Sequence, residues 1–394
     1  MIRITGATSI LDIEKALSKL ISSASEERLQ IPSSLRLGGA FGIPAALIQL
    51  IVAWARQQQT PTLQLHQGQL ESLSGTPHGM VALYCAQSAI QPETNLTLPP
   101  KESLKFVAER VRAMQEGRYL ETTRGRGVVL CCFSGARNEF ISPLYPYEDG
   151  ETVRSRSEFR FVTRDMLAKF APEALRRLND DDVTNLGFLL YELFSNTHEH
   201  ARLDLNKQVL RPSVRGLLMS YIPDVYKKMG GDTADFIGGD PSLGIYLNRE
   251  LARQQTDKKG PATYKVAKSF LELSVFDTGL GLARHWLSRK GRGTNLATMS
   301  YKEEFDVVKK CFEERITTKE TLGSGHGLPS VLDSLRHLRA YLRLRTGRLC
   351  LVQDFAEKQY SGFSLKPWRE DKKVLDITEG AVYSIILPLG GERK

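Results

Sequence analysis

One stretch of the chain places three side chains of catalytic types on the same face of a predicted helix. From Asp182 to Arg202 the sequence reads DVTNLGFLLYELFSNTHEHAR, with apolar residues at helical spacing. Glu192, Asn196 and His200 are spaced four residues apart, so they lie on successive turns of one helix face. A carboxylate there can take a proton from water, and an amide oxygen is a hard ligand that suits Mg²⁺. Taken alone, the pattern also fits a solvated helix face.

A second stretch ends a predicted strand on a carboxylate. The segment LELSVF alternates as strands do and is followed by Asp277, after which Gly279 and Gly281 turn the chain. A carboxylate at a strand end can accept a hydrogen bond from an exocyclic amine such as that of adenine. Glycines beside it let the backbone approach a flat ring, because they have no Cβ. A simple strand–turn connection is the other interpretation.

A third stretch, LGSGHGLPSVL, puts alternating glycines immediately before an apolar helical run. These glycines are Gly323, Gly325 and Gly327. A glycine loop that opens a helix presents free backbone N–H groups and the positive end of the helix dipole, which suit phosphate groups. The spacing is not that of a P-loop, since GxxxxGK[ST] is absent, and it is not a Rossmann fingerprint. A purely structural turn is the alternative here.

Taken in order, the patterns ExxxNxxxH, DxGxG and GxGxGL resemble the motif series of the GHKL ATPases, the class that includes gyrase, the large heat-shock chaperone, the histidine kinases and MutL. The resemblance covers roughly residues 160–390 and includes the closing segment AVYSIILPL. It implies an α/β fold, a two-layer α/β sandwich of the Bergerat type with a mixed sheet on one side and helices on the other. It also implies that the chain binds ATP and Mg²⁺.

The resemblance also implies a role for each motif residue. Glu192 corresponds to the general base, Asn196 to the ligand of the Mg²⁺ that bridges the triphosphate, and His200 to a position that contacts phosphate. Asp277 corresponds to the aspartate that recognises the adenine amino group, and the two glycines after it shape the adenine wall. The three alternating glycines correspond to the phosphate-side hinge of an ATP lid. That lid would be residues 283–322, with Lys319 as a candidate γ-phosphate contact.

The region before these motifs predicts an additional small α/β domain, residues 1–95. It contains an amphipathic segment from Ile10 to Ile21, a glycine-rich passage, a helix from Ala45 to Arg56 that Pro44 opens, and the strand-like TLQLH. Strand, helix and strand at these lengths indicate an α/β module. Their order loosely resembles a STAS domain, although the serine that STAS regulators phosphorylate has no clear counterpart in GGAFGIP.

Residues 96–160 are expected to connect the two domains. They contain a proline-marked linker, a helix over 102–118 and the buried strand RGVVLCCFSG. The ATP-binding domain then spans 161–394. The first two motifs are farther apart than in compact kinase domains, so residues 227–268 are predicted to be an insertion. The sequence does not distinguish between two roles for this insertion, a loop that binds a partner and a surface segment without a function.

Composition narrows the class of protein. The net charge is +9, but the basic residues are scattered among acidic ones, which argues against nucleic acid as a partner and fits attraction for a nucleotide. The five cysteines have no ligand spacing, so reduced and mostly buried thiols are expected rather than a metal site or disulfides. No apolar run is long enough for a membrane span, and the N-terminus lacks a secretion signal. A cytoplasmic protein is expected.

Three functions stay open at this point. The wording ELFSNTHEHA is closest to the histidine-kinase and anti-sigma branch, so the first is a bacterial regulatory kinase or partner-switching factor. The second is an ATP-driven conformational switch in a stress or defence system, and the third is an ATP-sensing protein without catalysis.

A self-contained histidine kinase is disfavoured, because neither His66 nor His78 lies in a long amphipathic helix. A gyrase- or MutL-like arrangement is disfavoured because the sequence stops soon after the closing strand. A protein partner of the N-terminal domain is expected, and a homodimer follows by family analogy only.

Overall fold

The computed structural model of the chain contains two β-sheets with helices packed against them. The residues it describes are 1–36, 39–94, 96–125, 127–223, 240–256, 269–313, 327–357, 362–371 and 373–389. The structure is therefore of the α/β class, as the sequence predicts.

The first sheet, sheet A, has the strand order β1-β2-β3-β4-β5. Its first four strands are parallel, and β5 runs antiparallel to β4. The strands are β1 (Ile2–Arg3), β2 (Leu29–Gln30), β3 (Thr62–Gln64), β4 (Ser88–Gln91) and β5 (Leu96–Leu98). Parallel neighbours need crossover connections, which the helices between these strands supply.

The second sheet, sheet B, has the order β11-β10-β9-β12-β8-β7-β6. The strands are β6 (Gly127–Phe133), β7 (Val214–Ile222), β8 (Ser269–Asp277), β9 (Tyr341–Gly347), β10 (Leu349–Asp354), β11 (Lys366–Pro367) and β12 (Thr378–Leu389). Every described strand pair in sheet B is antiparallel. The prediction of a mixed sheet is therefore wrong for the described strands, because each strand enters the sheet from the end opposite to that of its neighbours.

Twelve α-helices lie in the described part of the chain. They are α1 (Ile10–Ser22), α2 (Ile43–Gln57), α3 (Gln69–Ser74), α4 (Pro77–Cys85), α5 (Pro100–Gln115), α6 (Arg156–Phe170), α7 (Pro172–Leu175), α8 (Asp180–His200), α9 (Pro241–Thr256), α10 (Leu282–Arg289), α11 (Tyr301–Glu313) and α12 (Gly327–His337). The predicted helices over 10–21 and 45–56 are confirmed as α1 and α2. Ser9 begins α1 by accepting a hydrogen bond from the N–H of Asp12, and Pro44 stands in the first turn of α2.

One face of sheet B, the α2 face, is covered by helices α2 and α9. On this face the carboxylate of Glu272 accepts hydrogen bonds from the backbone N–H groups of Phe41 and Gly42, where α2 begins. Asp240, next to α9, accepts a hydrogen bond from the hydroxyl of Tyr341 on β9. The N-terminal part of the chain therefore packs directly on sheet B.

The other face of sheet B, the α8 face, is covered by α8 and the helices beside it. Arg215 of β7 is paired with Asp277 across the ladder, so both side chains point to one face. The guanidinium of Arg215 donates to the hydroxyl of Tyr145, whose ring contacts Phe194 and His198 of α8. Asp277 and α8 consequently share a face, opposite to that of Glu272.

The two-layer arrangement expected for this region needs a correction. Sheet B carries helices on both faces, because α2 and α9 fill the face opposite to α8. All nine residues of β8 are buried, which is what a strand covered on both sides requires. The finer assignment to the Bergerat fold, and the likeness of the N-terminal module to a STAS domain, stay predictions.

The segments predicted as a connection and an insertion contribute to the two sheets and their core. Residues 96–160 supply β5 to sheet A and β6 to sheet B, in addition to the predicted helix, α5. Of the predicted insertion 227–268, the structure describes 240–256, where Leu243, Tyr246 and Leu247 of α9 are completely buried. That part of it is core and not surface decoration.

All five cysteines lie in the described part of the chain. Four cysteines are buried, Cys311 is partly buried, and no disulfide joins any of the five. The expectation that the thiols are mostly buried is confirmed. None of the helices in the described ranges is long and apolar enough to cross a lipid bilayer.

Candidate functional site

Helix α8 is held with its apolar stripe toward sheet B. Asn179 caps its start by accepting a hydrogen bond from the N–H of Asp182, and the Asp182 carboxylate accepts one from the N–H of Asn179 in return. The apolar side chains that the sequence places on one stripe are all fully buried: Leu186, Leu189, Leu190, Leu193 and Phe194. The predicted apolar stripe of the helix is confirmed as buried, and it fixes where the polar residues between its members point.

Glu192 and Asn196 stand one turn apart at the edge of this buried stripe. The Glu192 side chain is only 6% exposed, and its Oε1 lies 3.8 Å from Nε of Arg156 on α6. Asn196 is half-buried, and its Nδ2 is buried without a hydrogen-bond partner in the described part of the chain. A solvated helix face would not bury these groups. His200 ends α8, and its side chain lies outside the described residues.

A glycine that the sequence analysis did not single out sets the position of Arg156. At Gly187 a Cβ would lie 2.6 Å from the Cα of Arg160, so α6 and α8 cross here at backbone distance. Arg156 is one turn before Arg160 and lies 3.9 Å over the ring of Phe188. The close crossing thus brings a guanidinium against the Glu192 carboxylate. Its sequence signal, a lone glycine inside a helical pattern, is weak.

Asp277 ends β8 as predicted and is buried. Its Oδ1 accepts a hydrogen bond of 2.9 Å from the N–H of Gly279. Burial raises the pKa of Asp277 to about 6, while backbone hydrogen bonds from Gly279 and Ala381 and the charge of Arg56 act in the opposite direction. The carboxylate is therefore a largely buried hydrogen-bond acceptor.

The loop after Asp277 lies against the end of α8. A Cβ at Gly279 would come within 2.5 Å of the Cα of Ala201, the residue that follows α8. Gly281 has a φ of +77°, and a Cβ there would come within 2.9 Å of the carbonyl oxygen of Gly380. Both glycines are required for close approach. The first two motifs are thereby brought together.

Two further residues hold this loop and were missed from the sequence. Gly380, in a bulge of β12, donates its N–H to the Gly279 carbonyl at 2.7 Å and has a φ of +73°. A side chain at Gly380 would collide with the carbonyl of Asp277. Thr346 of β9 donates its hydroxyl to the Gly380 carbonyl and accepts the N–H of Leu282, at 3.1 and 3.0 Å. These contacts join residues far apart in the chain, so no local pattern reveals them.

The third motif reaches the site through the packing of α12 on α8. Nε2 of His337, near the end of α12, lies 3.3 Å from Oδ1 of Asp182, near the start of α8. Because the two helices pack against each other, this contact means that they run antiparallel. Gly327 precedes His337 by 10 residues, and Glu192 follows Asp182 by 10, or roughly 15 Å along each helix axis. The N-terminus of α12 therefore lies toward the end of α8 that carries Glu192. Gly323, Gly325 and Lys319 lie outside the described residues.

Part of the predicted lid, 283–322, forms packed helices. The structure describes it as far as residue 313, and this part includes α11 and nearly all of α10. Helix α10 packs against α11 and β9, with Trp286, Leu287 and Phe312 buried. Up to residue 313 the segment belongs to the body of the protein.

The N-terminal module also reaches the neighbourhood of Asp277. At the end of α2, the Arg56 guanidinium donates to the carbonyl of Pro212 at 2.8 Å and lies 3.5 Å from the Glu379 carboxylate. Glu379 is also 3.6 Å from Arg284 of α10. Arg56 is thus a positive charge of one module placed close to the buried carboxylate of the other.

Comparisons of the chain with protein-family models, with curated proteins and with solved structures found no match. Within the described ranges, no group of three or more His, Cys, Asp or Glu side chains could hold a metal ion.

Proposed function

We propose that this chain binds ATP with Mg²⁺ on the α8 face of sheet B, as a regulatory ATPase or kinase of the GHKL class with a Bergerat-type fold. One observation supports this above all others. Residues of all three motifs, distant in the sequence, lie on one face of the sheet: Glu192 and Asn196 on α8, Asp277 at the end of β8, and Gly327 at the start of α12. An accidental likeness in the sequence would not require this convergence.

The residues present fit a magnesium ion that arrives with the nucleotide. The Asn196 amide has a buried Nδ2 without a partner in the described residues, which fits a group held for a ligand. Its Oδ1 would coordinate Mg²⁺, and its Nδ2 would donate to a phosphate oxygen. The ion supplies charge neutralisation for the triphosphate. No carboxylate cluster is needed, because the phosphates provide the remaining ligands.

Adenine recognition and phosphoryl transfer are assigned to separate residues. The Asp277 carboxylate accepts a hydrogen bond from the adenine amino group, and the backbone at Gly279 and Gly281 lies against the ring. Glu192 takes the proton of an attacking water or acceptor hydroxyl, whose oxygen then bonds to the γ-phosphorus. The bond from that phosphorus to the bridging oxygen breaks, and ADP leaves with the electron pair. The N-terminus of α12 presents N–H groups to phosphate oxygens.

A conformational switch is the second candidate function, and Arg56 is the observation that favours it. Its contacts with Pro212 and Glu379 connect α2 of the N-terminal module to the segment around Asp277. A nucleotide that moves this segment would change the docking of α2 on sheet B. A protein partner that binds the N-terminal module would then sense the nucleotide state.

The fate of the γ-phosphate separates these functions. We would mix ATP labelled on the γ-phosphate with the pure protein and Mg²⁺, with and without lysate of the source cells, and compare Glu192→Ala with the exposed control Glu109→Ala. Label on a protein, lost in Glu192→Ala only, indicates a kinase, and free labelled phosphate indicates an ATPase switch. If Glu192→Ala keeps full activity, Glu192 is not the base. ATP that binds without any turnover would contradict both catalytic forms of the proposal.

A further inference from the structure

An open cavity of the N-terminal module, the sheet A cavity, lies at the carboxyl ends of neighbouring strands. It has a volume of about 520 Å³, within the range of sites for small organic ligands. Its walls are formed mainly by residues at or just after the ends of the parallel strands β1, β2 and β3. Open parallel sheets bind ligands outside the carboxyl ends of their strands. This cavity belongs to sheet A, whereas the proposed nucleotide site is on sheet B.

Contacts between the loops that follow these strands hold the walls together. The loops after β1 and β2 meet at Gly6, whose carbonyl accepts the N–H of Arg36 at 2.7 Å. A Cβ at Gly6 would come within 2.9 Å of the carbonyl oxygen of Ser34. Gln69, after β3, donates its side-chain amide to the carbonyl of Ile31, after β2, at 2.8 Å. The three loops are therefore joined before any ligand binds.

Arg3 supplies a positive charge to this cavity. It is paired with Gln30 across the β1–β2 ladder, so the two side chains lie on the same face of sheet A. Nε2 of Gln30 donates to Nε2 of His66 at 2.7 Å, which places His66 on this face as well. All three residues line the cavity. Arg3 is exposed, and its guanidinium makes no ion pair within the described part of the chain.

The carboxylate of Glu93 does not cancel this charge. An amide nitrogen donates, so Nε2 of His66 accepts, and its Nδ1 donates to Oε1 of Glu93 at 2.8 Å. Glu93 follows β4, which is three strand spacings from β1, or roughly 14 Å. Exposed charges that far apart are largely screened by salt. None of the described residues that line the cavity is acidic, so its potential is set by Arg3.

Hydroxyl groups accompany the guanidinium in the cavity wall. Thr5 follows Arg3 by two residues, and Ser33 and Ser34 are in the loop after β2. Their hydroxyls make no hydrogen bond to a described residue. A guanidinium has five N–H groups and each hydroxyl adds one donor, whereas a phosphate monoester presents three strong acceptor oxygens. A phosphate group therefore matches this part of the cavity, and a cation would be repelled.

The remaining space suits a ligand with hydroxyl groups. The cavity is much larger than a phosphate group, so it leaves room for an organic part. Gln67 lines it, is exposed and makes no hydrogen bond to a described residue. A side-chain amide both donates and accepts, as a hydroxyl group of a ligand does.

We propose that the sheet A cavity binds the phosphate monoester of a small hydroxylated molecule, such as a sugar phosphate. The guanidinium of Arg3 and the hydroxyls of Thr5, Ser33 and Ser34 hold the phosphate group. Gln67 contacts the hydroxylated part of the ligand. The site is separate from the proposed nucleotide site, and it gives the N-terminal module a ligand of its own.

The test is a calorimetric titration of the intact chain with glucose 6-phosphate, ribose 5-phosphate and glycerol 3-phosphate. Glucose, ribose and glycerol are the matched probes without phosphate. At least one phosphate ester is expected to bind in a saturable manner, and its matched probe is not. None of these probes contains adenine, and Asp277→Asn should bind them as the wild type does. The result therefore stands even if the ATP proposal fails.

Arg3→Gln removes the charge at an exposed position, so the fold should persist, and Arg112→Gln on the exposed side of α5 is its matched control. Arg3→Gln should weaken binding of the phosphate ester by at least about tenfold, while Arg112→Gln binds as the wild type does. The proposal is overturned if no phosphate ester binds at its highest soluble concentration, or if the probes without phosphate bind equally well. It is also overturned if the two arginine variants bind equally well, or if Asp277→Asn abolishes the binding.

Discussion

Asp277 shows at the scale of a single residue how burial prepares a group for recognition. Asp277 is only 7% exposed, and the hydrogen bond from Gly279 holds one carboxylate oxygen in place. Burial raises its pKa to about 6, so the charged acceptor form exists near neutral pH and is lost in mild acid. The sequence alone predicted the carboxylate at a strand end. It could not predict the degree of burial, which depends on residues more than 60 positions away on either side.

Adenosine affinity should therefore fall as the pH falls through about 6. Only the ionised Asp277 accepts from the amino group without carrying a competing proton, so affinity at pH 5 should be about tenfold lower than at pH 8. Calorimetric titration with adenosine measures this without interference from titrating phosphates. A flat profile between pH 5 and 8 would contradict the assignment of Asp277.

At the scale of secondary structure, most of the site's elements could be predicted and the contacts between them could not. Helix α8 and strand β8 follow from clear 3.6- and 2-residue periods, and their ends carry the expected residues. The bulge at Gly380 and the close crossing at Gly187 have no such period. They are consequences of one backbone approaching another, which only the tertiary structure defines.

Gly380→Ala should destabilise the protein by about 2–5 kcal/mol, because it adds a side chain in the left-handed region and a collision with the Asp277 carbonyl. Nucleotide affinity should fall with it, since the loop must move. Gly293→Ala is the matched control, because a Cβ there meets nothing within 4 Å. Its stability should stay within about 0.5 kcal/mol of the wild type. Urea unfolding measures both, and equal stability of the two variants would contradict the role of the bulge.

The docking of α2 on β8 should make stability depend on pH. Burial raises the pKa of Glu272 from 4.5 to about 7, so the folded state binds this proton more tightly than the unfolded state. The contribution of Glu272 to the free energy of unfolding is therefore fully present below pH 4.5. It falls by about 3 kcal/mol as the pH rises from 4.5 to about 7. Relative to the wild type, Glu272→Gln should thus become more stable as the pH rises from 4.5 to 8. Urea unfolding at both pH values tests this, and a difference that is constant with pH would contradict it.

At the scale of the whole molecule, the N-terminal module is part of the structure of sheet B. Arg345 of β9 is buried and makes hydrogen bonds of 2.8 and 3.1 Å to both carboxylate oxygens of Glu14 on α1. Arg343 donates to the Phe41 carbonyl at 2.6 Å. Arginine is seldom buried, so nothing in the local sequence YLRLRTG indicates that both of its first two arginines are buried. The partners that bury it come from the other end of the chain, so the packing of the two modules could not be predicted.

Arg56 should couple the modules through charge. Because its positive charge holds the pKa of Asp277 down, Arg56→Gln should move the midpoint of the adenosine-binding profile to a pH above 6. Arg56→Lys keeps the charge and should leave the midpoint nearly unchanged. The same calorimetric titrations measure both variants. If the two profiles coincide with each other, the charge of Arg56 does not act on Asp277.

The most direct test of the account is the affinity for ATP with Mg²⁺ of the wild type, Asp277→Asn and the control Asp333→Asn, measured by calorimetry at pH 8. Asparagine can still accept the Gly279 N–H, so the loop should persist, but the amide is a weaker acceptor for the adenine amino group. Asp333 lies on α12 with its side chain 76% exposed and tests for a general effect of charge. We predict binding by the wild type and Asp333→Asn and an affinity at least about tenfold lower for Asp277→Asn. Equal affinity in all three proteins, or no binding by the wild type, would contradict the proposed nucleotide site.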